Sequence, residues 1–102
     1  MQEEPFGPLV PILTFKNFDE VIERANDNDL GLCSYLYTNS MDKAHIGSEK
    51  LETGCVAVNT GVVALAEAPF GGIKQTGYGR EGGSGAIKDY LNVKYTHMGL
   101  KI

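Results

Sequence analysis

The chain has 102 residues, 42% of them apolar and 22% charged, with a net charge of −4 at neutral pH. This is an ordinary globular composition whose acidic balance speaks against a general nucleic-acid or membrane-surface binder. No apolar run approaches the roughly 18 residues needed to span a bilayer, and Met1-Gln2-Glu3-Glu4-Pro5 lacks the basic-then-apolar pattern of a signal segment, so a cytoplasmic location and no membrane partner are expected.

The opening Glu3-Glu4-Pro5-Phe6-Gly7-Pro8 reads as a turn, because two prolines and a glycine in four residues forbid a helix or a central strand. Leu9 to Phe15 reads as a strand. From Asn17 the period becomes helical, with Asn17 as cap, Glu20 as capping-box partner, and Phe18, Val21, Ile22 and Ala25 on one face. Asn26-Asp27-Asn28-Asp29 and Gly31 are expected to stop that helix. Leu32 to Thr38 is expected as a strand, Ser40 to about Glu52 as a second helix ended by Gly54, and Cys55 to Asn59 as a short buried strand. Strand, helix, strand, helix, strand is an α/β pattern with a mainly parallel sheet and flanking helices. A loop from Thr60 to Ala68 follows, then a glycine-rich run, a short helix near Gly85 to Leu91 and an alternating final segment, Val93 to Met98.

The glycine-rich run, Pro69-Phe70-Gly71-Gly72-Ile73-Lys74 through Gly83, marks a shaped site or a tight packing corner, since so flexible a backbone is costly to order. Gly77-Tyr78-Gly79-Arg80-Glu81-Gly82 matches the dinucleotide fingerprint GxGxxG in letters only. The fingerprint needs a buried strand before it and a helix after it, and Gly71 to Thr76 does not supply the strand. Lys74 is followed by Gln75, which rules out a P-loop frame. Cys33 and Cys55 are too far apart for a CxxC spacing and read as small buried hydrophobes rather than nucleophiles or disulfide partners. His45 and His97 have no metal-like spacing, so no metal site is expected.

Three segments in one order, Glu3 to Pro8, Ala25-Asn26-Asp27 before Gly31-Leu32, and Pro69 to Gly83, resemble the C-terminal part of the NAD(P)-dependent aldehyde dehydrogenase superfamily. Asn59-Thr60-Gly61, Glu67-Ala68-Pro69-Phe70-Gly71-Gly72 and Lys94-Tyr95 make the likeness closest to succinate-semialdehyde dehydrogenases. The resemblance implies a fold that is part of the aldehyde dehydrogenase catalytic domain over residues 1–91, followed by an oligomerisation strand and tail over residues 92–102. It also implies NAD or NADP as cofactor, a small aldehyde as substrate, and a homo-oligomer, dimer or tetramer.

By the same resemblance Glu4 binds the hydroxyls of the nicotinamide ribose, Phe6 packs beside the nicotinamide, and Phe70 and Leu65 belong to the aldehyde pocket. An ionised carboxylate offers two acceptor oxygens suited to a vicinal diol. Read without the resemblance, Glu4 is a solvated acid, Phe6 a turn anchor, and Lys74, Arg80 and Glu81 architectural. The family's nucleophilic cysteine, glutamate base and Rossmann domain are expected upstream of Met1, so no catalytic residue is assigned within the chain. Where many succinate-semialdehyde enzymes carry a serine for the distal carboxylate, this chain has Val62-Val63-Ala64-Leu65-Ala66, which leaves other semialdehydes and less polar aldehydes open. A non-catalytic interaction or oligomerisation module derived from the family is the alternative, and an independent nucleotide-binding domain a third reading.

Overall fold

The computed structural model describes residues 3–101. Met1 and Gln2 of the expected N-terminal reading, and Ile102 of the expected tail, lie outside the described residues.

Helix α1 (Phe18–Asn26) begins where Asn17, in extended conformation, accepts the Glu20 N–H at 2.9 Å. The capping box is displaced by one residue: Glu20 Oε2 accepts from the Lys16 N–H at 2.9 Å rather than from Asn17. The other oxygen of Glu20 pairs with Arg24 at 3.3 Å, and Arg24 also donates to the Thr14 carbonyl at 2.8 Å. One carboxylate and one guanidinium thus fasten the entering chain to the first turns of the helix. Helix α2 (Met41–Lys50) is capped by Ser40, which accepts the Lys43 N–H at 3.3 Å. It ends at Leu51, before Gly54.

Strand β2 (Cys33–Leu36) occupies the middle of the expected Leu32–Thr38 strand, and a bend at Leu32 separates it from a further short strand, β1 (Leu30–Gly31), that precedes the expected one. Gly31 therefore does not stop α1; it pairs in a strand, and the Asn26–Asp29 cluster ends the helix. Strand β3 (Cys55–Val58) runs parallel to β2, with Cys33 opposite Cys55 and Leu36 opposite Val58. Helix α2 connects them and packs on both strands and on α1, as a parallel crossover requires. Gly47 permits this approach, since a Cβ there would lie 2.6 Å from Leu36 Cδ2 and 3.4 Å from Phe18 Cζ.

The sheet is not the single, mainly parallel one expected. Strand β4 (Ile73–Lys74), a two-residue strand that is not buried and so is no core strand, pairs antiparallel with β1, and the two pairs are separate two-stranded sheets. Two peptide units suffice here because Thr76 Oγ1 accepts the Gly31 N–H at 2.8 Å and Asp29 O accepts the Gln75 N–H at 2.9 Å on either side. Gly54 lies at the junction: a Cβ on it would stand 1.8 Å from the Gly71 carbonyl oxygen.

Two expected strands, Leu9–Phe15 and Val93–Met98, carry no ladder among the described residues. Alternation gives a strand its faces, but a strand needs a neighbouring backbone to pair with, and among the described residues no strand pairs with either one. The short helix near the end is a 3-10 turn, Ala86–Tyr90, with Ile87 and Tyr90 exposed rather than packed. Among the described residues only Ile22 and Ala57 are buried apolar side chains. The radius of gyration is 19.2 Å, against about 13 Å for a compact domain of this length. The exposed surface is 9016 Å², against about 5,600 Å² from the mass scaling of compact monomers.

Candidate functional site

The glycine-rich segment folds back on itself. Phe70 and Glu81 exchange both backbone hydrogen bonds at 2.7 Å, forming a bridge that closes the loop. Beyond it the Gly83 N–H donates to the Ala66 carbonyl at 2.9 Å, and a Cβ on Gly82, which holds a φ of 67°, would stand 2.8 Å from the Ala68 carbonyl oxygen. Only a residue without a side chain fits there unstrained. Arg80 stays inside the loop, its Nη1 donating to the Gly72 carbonyl at 2.8 Å and the Gly79 carbonyl at 2.7 Å, while Asp89 Oδ2 accepts the Arg80 N–H at 2.9 Å.

Lys74 and Arg80 are therefore architectural, and Glu81 is so through its backbone. Lys74 holds a left-handed φ of 56°, a conformation that costs a non-glycine residue about 1–3 kcal/mol. Its ammonium offsets this by donating to the carbonyls of Asn26 at 2.9 Å and Asn28 at 3.0 Å and pairing with Glu52 at 2.6 Å. Asn59 has a left-handed φ of 55°, which asparagine tolerates better than most residues. Its Oδ1 accepts the Thr38 N–H and its Nδ2 donates to the Thr38 carbonyl, both at 2.9 Å. The Asn-x-Gly motif thus clamps the far ends of β2 and β3.

Two grooves flank Leu32 and Thr76, which line both. One, of about 730 Å³, is bordered by Glu4, Ala25, Gly31, Cys33 and Thr53. Glu4 is exposed and makes no ion pair among the described residues. The other, of about 270 Å³, is bordered by Phe70, Tyr78, Arg80, Asp89 and Tyr90. Glu4 and Phe70 thus occupy neighbouring grooves. Phe6 lines neither and is 95% exposed. Leu65 also lines neither; its side chain is exposed and its carbonyl accepts the Ala68 N–H at 3.1 Å, closing the turn under Gly82.

Cys33 and Cys55 are half-buried rather than buried. Burial, then the charge and hydrogen bonding of Cys55, push the Cys33 thiol up. Sequence reasoning missed Asn26 and Thr76, whose side chains tie segments far apart in the chain. Asn26 Nδ2 donates to the Lys50 carbonyl and its Oδ1 accepts the Glu52 N–H, both at 2.8 Å. The only signal was their place within the Ala25-Asn26-Asp27 and glycine-rich motifs, which carries no partner. Among the described residues no group of three or more His, Cys, Asp or Glu side chains could hold a metal, and no helix is long and apolar enough to cross a membrane.

The sequence profile described as "Aldehyde dehydrogenase family" matches residues 1–96. The succinate-semialdehyde dehydrogenase [NADP(+)] GabD of Escherichia coli strain K12 is 46% identical over 99 residues, covering 97% of this chain and 20% of that protein. A 3-sulfolactaldehyde dehydrogenase of Pseudomonas putida is 50% identical over 97 residues, covering 95% of this chain and 20% of that protein. The crystal structure of an E. coli NADP-dependent enzyme superposes with a TM-score of 0.90 at 46% identity, over 97% of this chain and 21% of the other. The chain spans about a fifth of the length of the curated relatives it matches.

Proposed function

Because the chain belongs to the aldehyde dehydrogenase family, we propose that it is the C-terminal part of an enzyme that oxidises an aldehyde to the carboxylic acid with NAD or NADP. The observation that supports its share of the work is the free carboxylate of Glu4 on the open groove beside Leu32 and Thr76. Two acceptor oxygens without an internal cation are what a ribose diol requires, and the groove has room for it. The dinucleotide, when bound, supplies the hydride acceptor. Glu4 orients its ribose, and Phe6, projecting into open space, covers one face of the nicotinamide. Phe70 and Leu65 contribute apolar wall on the aldehyde side and exclude water from the reacting carbon. The thiolate and the general base come from the remainder of the enzyme.

A semialdehyde is the preferred substrate. The two relatives' names, succinate-semialdehyde and 3-sulfolactaldehyde, each denote an aldehyde with a distal anion, and succinate semialdehyde is the first member to try. Residues 1–91 act as part of the catalytic domain, and residues 92–102 as an oligomerisation strand and tail that makes a dimer or tetramer. The exposure of Val93, Tyr95 and Met98 supports that division. The test is the full-length enzyme assayed with NAD and with NADP against succinate semialdehyde, 3-sulfolactaldehyde and an uncharged aldehyde of equal length. Acid formation stoichiometric with dinucleotide reduction, fastest on an anionic substrate, is expected. No reduction with any aldehyde would leave the non-catalytic module as the reading.

A further inference from the structure

Cys33 and Cys55, the chain's two cysteines, are both free and half-buried. They stand opposite one another at the head of the parallel β2–β3 pair. Directly paired residues in parallel strands project from the same face, with their backbones about 4.7–4.9 Å apart. A disulfide spans Cα separations of about 4.4–6.8 Å, so the strand spacing already suits the bond. The Cys55 side chain lies near enough to Cys33 to push its thiol up, after the larger effect of burial. Cys33 also borders the open groove beside Glu4, which gives a small reagent a route to the pair.

We propose that Cys33 and Cys55 are a redox-active dithiol that closes to an intramolecular disulfide by exchange with a low-molecular-weight disulfide. One cysteine loses its proton and attacks a sulphur of the reagent, breaking the reagent's S–S bond and releasing one thiol. The second cysteine, deprotonated in turn, attacks the protein sulphur of that mixed disulfide and releases the second thiol. The protein pair is oxidised by two electrons and the reagent is reduced by two. The product fixes β2 to β3 covalently and removes the S–H that Cys55 directs at the Gly71 carbonyl, 3.8 Å away. Cysteine spacing alone gives no hint of this, because it is the parallel register that makes the two residues neighbours.

The test uses the full-length native protein, equilibrated in glutathione buffers of stepped oxidised-to-reduced ratio, quenched with acid, alkylated and mapped by mass spectrometry. A peptide pair joined through Cys33 and Cys55, lighter by two hydrogens, is expected to grow with oxidised glutathione and to vanish on treatment with dithiothreitol. In urea the same buffers should give several-fold less of that linkage, since its yield depends on strand register. Cys33→Ala and Cys55→Ala should each abolish it. Both thiols alkylated at every ratio, a stable glutathione adduct on either one, or linkage of either to another cysteine would overturn the proposal; the wild-type map decides without relying on the variants' folding.

Discussion

At Gly54 the space for a side chain is already filled. A Cβ there would stand 1.8 Å from the Gly71 oxygen and 2.9 Å from the Gly72 Cα, both backbone atoms that cannot swing aside. Gly54→Ala should therefore cost the full-length protein about 1–3 kcal/mol or more, the usual range for overpacking. Gly61→Ala, with nothing within 4 Å of its Cβ, should move the denaturation midpoint little; equal shifts for the two would show that the contact is not rigid. Glu4 poses a question of rate rather than stability. Glu4→Gln keeps the shape and loses the charge-assisted bonds to the ribose, so hydride transfer should slow by roughly tenfold or more while dinucleotide affinity falls less. Single-turnover rates equal to the parent's would remove Glu4 from the cofactor site.

Among the elements, a two-point polar tie joins the end of α1 to the residues that close α2. Asn26 closes that helix onto the end of α2 through two hydrogen bonds of 2.8 Å. Asn26→Ala should lower stability by about 1–2 kcal/mol, since it leaves the Lys50 carbonyl and the Glu52 N–H to solvent, and amide exchange at Glu52 should quicken before exchange in β3 does. Both helices and the β2–β3 pair were legible in the sequence, because Asn17 and Ser40 act within three residues and the apolar periods are local. Strand β4 was not legible: Ile73 and Lys74 pair with residues more than forty positions away, through Thr76 and Asp29. Leu9–Phe15 and Val93–Met98 show the converse, an alternation visible in sequence with no ladder among the described residues. For the candidate site, the architectural reading of Lys74 and Arg80 was available from the sequence and agrees with their bonds to backbone carbonyls, whereas the clamp at Asn59 and the two grooves that Glu4 and Phe70 border depend on contacts distant in the chain.

Taken whole, the molecule is a small α/β kernel with two long apolar arms. The isolated chain should oxidise no aldehyde, because no thiolate that attacks an aldehyde is assigned within it; dinucleotide reduction above the no-protein rate, lost in Cys33→Ser or Cys55→Ser, would contradict this. It should also self-associate, since an unpaired strand tends to recruit another backbone. In the full-length protein, deletion of residues 93–102 should shift sedimentation toward the monomer, and an unchanged oligomer would place the interface elsewhere. The arms carry a further consequence for biogenesis. Phe6, Val10, Ile12 and Leu13 on one arm and Val93, Tyr95 and Leu100 on the other all face solvent, so until they are covered they are the kind of surface that chaperones hold and proteases sample. The amount of this protein that accumulates in a cell is then set by a race between the burial of its arms and quality control, and a substitution that merely delays that burial lowers abundance without touching a catalytic group.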